Sequence, residues 1–523
     1  WYYNHMSYDL VIKNSTIIDG TNSPGYKADI GIKGERIVCI GIIADPSALI
    51  VIDAADRVVC PGFIDMHSHS DFTILANTYS ESKIRQGVTT EIIGNCGMSA
   101  APRYEEAFNR GQEICHDFGL TCKWKSMSDY FSLLNDTGIG LNIVALAGHG
   151  NIRESVMGYA DSVATDIQLS KMKSLLEDAL KAGCYGMSSG LIYPPGCFAS
   201  TDELIELCKI VSAFDGIYTT HMRSEGNQLL EAIDETLTIG RKSGVHVHIS
   251  HLKTSGEENW SKLQAVFNKL DNYPDVTADR YPYTAGATGL DAVLPLWMYE
   301  GGTAKEMERL QNAEIRNRLI SQLSGKDSRD WNTVMIASVW NKANKGWIGK
   351  RVSELIQGKI ERLLDFLITE ECKTEAIFFS MSEDNLQQIL KKPYVMIGSD
   401  ASSRATYGIL SQDMVHPRGF GTFPQILSYY VREKKILSIE EAVWKMTALP
   451  AKTLNIPERG QIKEGCFADI VVFDPAVINS TSTYESPLSY PTGIDYVILN
   501  GQIVVSYGKH TGKLCGKVLK LNN

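Results

Sequence analysis

The feature that most constrains this chain is a rhythm in its middle. Runs of strand character recur at Phe63–His67, Thr89–Gly94, Asn142–His149, Cys184–Ser188, Ile217–Arg223, Val245–Lys253, Val276–Tyr283 and Tyr394–Asp400. Helix-period stretches such as Ile167–Lys181, Asp202–Phe214, Asn227–Lys242 and Trp260–Leu270 fill most of the gaps. Eight strands alternating with helices are the arithmetic of a (β/α)8 barrel, an α/β fold whose parallel sheet closes on itself. The rhythm breaks once, before the last run. There, residues from about 296 to 375 carry helical patterns of their own (Glu306–Leu323, Val352–Leu367) and read as an insertion or lid.

The two ends of the chain alternate at the period of strands. Tyr8–Lys13, Thr16–Asp19, Ile30–Lys33 and Arg36–Ile40 at one end match Ala468–Phe473, Tyr496–Leu499 and Gln502–Ser506 at the other. Neither end is long enough to bury a core alone, so both are expected to pair into one small β-sandwich domain. A length of 523 residues would allow three or four domains. The patterning reduces them to two: residues 7–61 with 454–523, and an enlarged barrel over 62–453.

Composition narrows the functional classes. Apolar residues make up 44% and charged residues 21%, which excludes bulk disorder. A net charge of −10 argues against nucleic acid or an anionic membrane as partner. No apolar run approaches the ~18 residues that would span a bilayer. Trp1–Met6 is polar-aromatic and carries no secretory pattern. The eleven cysteines are scattered and never form a C-x-x-C pair, so they are expected to be reduced thiols of a cytoplasmic protein.

Catalytic groups of such a barrel lie at the C-terminal ends of its strands. The first run ends Asp65-Met-His-Ser-His69, with two imidazoles on one face at a spacing that can hold one metal ion. The second ends Asn95-Cys-Gly97, where a thiolate can serve as a tight zinc ligand. The fifth and sixth offer His221 and His251, each with a cation two residues further on, Arg223 and Lys253. By parity His246 and His248 face the helix layer rather than the mouth, unless a bulge intervenes. The seventh puts Asp279, Tyr281 and Tyr283 on one face, and the eighth closes on Asp400. Together His67, His69, Cys96, His221 and His251 fit zinc, with Asp400 left for proton transfer.

In that order these residues resemble the amidohydrolase superfamily, and specifically its N-acyl-D-amino-acid deacylase (D-aminoacylase) branch. Supporting phrases are Gly148-His-Gly150, Gly186–Gly196, His221-Met-Arg-Ser-Glu225, Ser250-His-Leu-Lys253 and His416-Pro-Arg-Gly-Phe-Gly421. The resemblance implies a zinc held tightly by Cys96, His221 and His251, and a second, weaker metal position at His67 and His69 beside Cys96 and Asp400. It implies Asp400 as the catalytic acid/base and Tyr193, Arg223, Lys253 and Tyr283 as substrate contacts, with the division of labour among them open. The implied substrate is a small N-acyl-D-amino acid. Hydantoinases and dihydroorotases of this superfamily bridge two metals with a carbamylated lysine on the fourth strand. Here Gly183–Gly190 contains no lysine, and Cys96 would take that role. A cyclic amide hydrolase or a D-peptidase remains the rival enzyme, and a non-catalytic barrel scaffold the rival of a different class.

Overall fold

The structure, a computed structural model, describes residues 7–44, 47–324 and 330–521; Trp1–Met6 lies outside them. Eight parallel strands make the barrel: β1 (Phe63–Asp65), β2 (Val88–Ile93), β3 (Asn142–Ala145), β4 (Gly186–Gly190), β5 (Ile217–His221), β6 (His246–Ile249), β7 (Val276–Arg280) and β8 (Val395–Ile397). Every residue of β2 and β4 is buried, as expected where helices cover one face and packed side chains fill the other. Tyr185 N–H donating to the Ala145 carbonyl joins β3 to β4. Closure between β8 and β1 falls at the mouth, through Asp400 N–H to the His67 carbonyl (2.8 Å) and His69 N–H to the Ala401 carbonyl (3.2 Å). These bonds set three of the expected site residues side by side.

Just beneath the mouth, β1, β2 and β8 are bracketed by one fully buried lysine. Lys83 Nζ lies 2.7 Å from Asp65 Oδ2, 2.7 Å from Glu91 Oε1 and 2.8 Å from both Ser399 Oγ and the Ala401 carbonyl. Two carboxylates compensate a charge that could not otherwise be buried. Asp65, on the parity of the two histidines, therefore braces the barrel and does not face the centre.

The chain ends pair into one nine-stranded sheet, the N-terminal strands on one side and the C-terminal strands on the other, joined where Ile470–Phe473 runs antiparallel to Val58–Pro61. Tyr8–Lys13 and Thr16–Asp19 are one strand, Tyr8–Ile17, interrupted by a register shift at left-handed Asn14. The first half of that strand pairs with Ala48–Asp53 and the second with Val58–Pro61, both in parallel. The last residues leave this sheet and run beneath the barrel, where Leu519 N–H donates to the Ile143 carbonyl and Leu521 N–H to that of Gly183.

The insertion begins earlier and ends later than its helical patterning suggested. An antiparallel sheet of Ala285–Gly289, Glu375–Phe379 and Val334–Ile336 frames it. Helices Gly302–Gln311, Ala313–Leu323 and Glu361–Thr369 pack on a separate apolar core that includes Leu290, Met298, Leu310, Leu363 and Leu367. The glycine-rich strand Ala285–Gly289 carries no hydrophobic alternation, which is why sequence periodicity missed it.

One expectation about cysteine is corrected. Cys115 and Cys122 form a disulfide across the end of helix Glu105–Asp117, while nine cysteines are unbonded. A separation of seven residues matched none of the sequence patterns used to recognise a pair.

Candidate metal centre and active site

Six side chains from five strand ends meet at the barrel mouth. Cys96 Sγ is 3.3 Å from His67 Nε2, 3.7 Å from His221 Nδ1 and 3.6 Å from His251 Nε2. His69 Nε2 is 3.3 Å from His67 Nε2 and 3.1 Å from Asp400 Oδ1. Two groups of donor atoms, each within 4.8 Å, result: His67, His69, Cys96 and Asp400, and Cys96, His221 and His251. Cys96 belongs to both, so its sulfur is the shared corner of two adjoining positions. One thiolate sulfur, four imidazole nitrogens and one carboxylate are the donor chemistry of zinc.

Three of these residues hold left-handed backbones: Cys96 (φ +52°), His251 (φ +38°) and Asp400 (φ +51°). Such conformations cost about 1–3 kcal/mol each in non-glycine residues and persist only when the surroundings over-determine them. Here His251 N–H is fixed by Asp279 Oδ1 (3.0 Å) and Asp400 N–H by the His67 carbonyl. The Cys96 turn fits because Gly190 has no side chain: a Cβ there would lie 2.1 Å from the Cys96 carbonyl oxygen. The left-handed turn at His251 also shifts the parity of β6. His248 consequently points inward, not to the helix layer as alternation implied, and binds Asp279 Oδ2 at 2.8 Å.

Two buried carboxylates stand behind the histidines. Asp279 Oδ2 accepts from His67 Nδ1 (3.2 Å), and Glu225 lies 2.9 Å from His251 Nδ1 and 3.6 Å from His221 Nε2. A carboxylate on the outer nitrogen orients an imidazole and leaves the other nitrogen facing a metal. Burial alone would raise the Cys96 pKa, but the facing imidazoles of His67, His221 and His251 draw it well below the thiol range. Burial likewise opposes ionisation of Asp400, and Arg418, His251 and His67 overcome it, holding the carboxyl well below its usual range.

The centre opens into a cavity of about 670 Å³, lined by His69, Cys96, His221, His251 and Asp400 among others. Of the expected substrate contacts, Tyr193 and Lys253 line it, and Tyr193 stands edge-on to His221 at 5.1 Å. Lys253 Nζ contacts the Glu225 carboxylate and lies 2.7 Å from His251 Nδ1. Arg223 is placed elsewhere. Its guanidinium donates to Glu235 (2.9 and 3.0 Å) and to the carbonyls of Cys197 and Ala199, clamping the loop that carries Tyr193. Tyr283 packs edge-on to His416 at 5.2 Å, behind the wall, and Tyr281 faces the cavity in its place. The cation that sequence reasoning missed is Arg418, whose Nη1 is 2.6 Å from Asp400 Oδ2. Its signal was the phrase His416-Pro-Arg418, which follows β8 and leads into the helix Arg418–Gln425, where strand parity says nothing.

Fold and centre together match one family. The sequence profile described as the amidohydrolase family matches residues 50–265 and 373–505, leaving out most of the insertion. This chain belongs to the amidohydrolase family. A D-aminoacylase from Alcaligenes xylosoxydans xylosoxydans is 36% identical over 515 residues, covering 98% of this chain and 97% of that protein. An N-acyl-D-aspartate deacylase from the same organism is 32% identical over 508 residues, covering 96% and 93%. The crystal structure of N-acyl-D-glutamate deacylase from Bordetella bronchiseptica, complexed with zinc and a phosphonate inhibitor, superposes with a TM-score of 0.83 at 30% identity, covering 98% and 100%.

Proposed function

We propose that this chain is a zinc-dependent deacylase that hydrolyses N-acyl-D-amino acids to a carboxylate and a free D-amino acid. The observation that carries the reading is the convergence of two donor groups on Cys96, with an arginine-clamped aspartate beside them at the cavity wall. The relatives named above share that activity class, and they match nearly the whole chain.

Cys96, His221 and His251 would hold the tightly bound zinc, and His67 and His69, with Cys96 and Asp400, a weaker second ion. β4 (Gly186–Gly190) offers no lysine for a carbamylated bridge, so the thiolate takes that place. When bound, zinc supplies a Lewis acid that lowers the pKa of water toward ~7 and polarises the amide carbonyl. Asp400 accepts the proton of the attacking water and delivers it to the leaving nitrogen. Arg418 keeps one carboxylate oxygen occupied, which leaves the other, beside His69, for the proton. Arg418 and Lys253 are the cations beside the centre that can take the substrate's α-carboxylate. The Tyr193 hydroxyl, on the cavity wall 3.2 Å from Thr288 Oγ1, would stabilise developing charge on the carbonyl oxygen, an effect worth ~3–4 kcal/mol for a well-aimed donor. The insertion contributes Ala292, Phe378 and Met381, and with Val415 they make a mainly apolar wall for the D-side chain.

Zinc content and release of D-methionine from N-acetyl-D-methionine test this reading together. The protein should carry zinc and turn the substrate over, and Asp400→Asn should retain the metal while losing at least ~10³-fold in rate. An Asp400→Asn protein of near-normal rate would refute the assignment.

A further inference from the structure

The cavity has a second end that the proposed chemistry does not use. β2 and β6 lie opposite each other in a closed eight-stranded barrel, so the loops that follow them face each other across the mouth. Lys253 follows β6. On the far side, the loop and helix after β2 supply Met98, Ser99, Arg103 and Gly111 to the lining. A substrate whose α-carboxylate sits at Lys253 and Arg418, and whose amide sits at the metal, must direct its acyl chain toward this far side.

Arg103 is 1% exposed, and no carboxylate forms an ion pair with it among the described residues. Among the described residues its Nε and Nη1 have no hydrogen-bond partner, and Nη2 reaches only the Trp124 carbonyl at 3.4 Å. The rings of Trp124 and Phe72 lie 4.8 and 5.3 Å from its guanidinium carbon. Aromatic rings satisfy the faces of a guanidinium and leave its in-plane N–H donors open. Room for the group is made by the helix itself, since a Cβ on Gly111 would fall 1.7 Å from Arg103 Nη1. The neighbouring Glu154 carboxylate is already paired with Arg110 at 2.8 Å and so does not compensate Arg103. Burial, and then the repulsion of Arg110, bring the Arg103 guanidinium down to about 10. A buried cation left unpaired is costly, and a ligand carboxylate would offset that cost through a charge-assisted pair.

We propose that Arg103 forms an anion subsite for the acyl group, so that the preferred substrates are half-amides of dicarboxylic acids, such as N-succinyl- or N-glutaryl-D-amino acids. The proposal rests on the deacylase reading above. Hydrolysis is unchanged in kind: water adds its oxygen to the acyl carbon, the C–N bond breaks, and the nitrogen leaves protonated. The distal carboxylate only anchors the chain.

The test compares kcat/KM of the zinc-loaded enzyme for N-acetyl-, N-succinyl- and N-glutaryl-D-methionine, and for N-acetyl-D-glutamate. One dicarboxylic acyl group should exceed acetyl by at least about tenfold, the effect of a single charge-assisted contact. Arg103→Met should collapse that ratio, and Arg103→Lys should restore part of it. Acetyl equal to or better than both longer acyl groups would overturn the proposal in the unmodified enzyme, whether or not the variants fold. A gain confined to N-acetyl-D-glutamate would overturn it too, because the anion would then sit on the amino-acid side chain. Absence of turnover with all four substrates would instead contradict the deacylase reading and remove the basis of this one.

Discussion

Cys96 joins two donor groups through one sulfur atom, and its replacement should affect both. Cys96→Ala is expected to lose tightly bound zinc, as measured by metal analysis after dialysis, whereas Asp400→Asn keeps it. Arg223 and Arg418 separate in the same way. Arg223→Gln removes two contacts to Glu235 and should lower stability by about 2 kcal/mol, less than a fully buried pair because Arg223 is 28% exposed. Arg418→Gln should raise KM far more than Arg223→Gln does, and equal KM effects would return Arg223 to the substrate. At this scale the sequence revealed the residues that terminate strands, because a hydrophobic run ending in a polar side chain marks a barrel mouth. It did not reveal Arg418, which opens the helix Arg418–Gln425, or the role of Glu225, which lies in the loop after β5. It misplaced His248 because one left-handed residue, His251, breaks the alternation on which parity depends.

The elements repeat that division. Helices such as Asp166–Ala182 and Leu229–Ser243 fall within a few residues of where periodicity set them, since each buries one apolar face against the barrel. The sheet that frames the insertion was not visible, for want of alternation in Ala285–Gly289. The insertion also carries a buried acid whose titration can be followed. Glu306 is 3% exposed, and burial, then the nearby Asp291 carboxyl, raise its pKa to about 8. Below pH ~4 both folded and unfolded chains hold this proton. Between ~4 and about 8 only the folded chain keeps it, so stability falls as pH rises through that window, by on the order of 3 kcal/mol at pH 7. Denaturation midpoints should therefore drop between pH 5 and pH 8, and Glu306→Gln should flatten the dependence. A Glu306→Gln midpoint with the same pH dependence as the wild type would contradict a protonated Glu306.

Across the whole molecule, the barrel and the two-ended β domain are tied by the last residues of the chain. Gly516, Leu519 and Leu521 donate backbone bonds to Ile139, Ile143 and Gly183, and Ile143 donates to Lys517. At roughly 1 kcal/mol each, removing residues 513–521 should cost about 4 kcal/mol and lower the thermal midpoint. This contact was unreadable in sequence because it pairs an irregular tail with the underside of a barrel strand. The barrel itself was readable because its rhythm is local. A thiolate-cornered metal centre with Lys253 and Arg418 beside it should hydrolyse linear D-configured amides. The most direct measurement is zinc-loaded turnover of N-acetyl-D-methionine, N-acetyl-L-methionine and a hydantoin under identical conditions. The expected result is hydrolysis of the D-enantiomer at least about a hundredfold faster than the L-enantiomer or the cyclic amide. Equal rates for the two enantiomers, or a hydantoin hydrolysed faster than either, would contradict it.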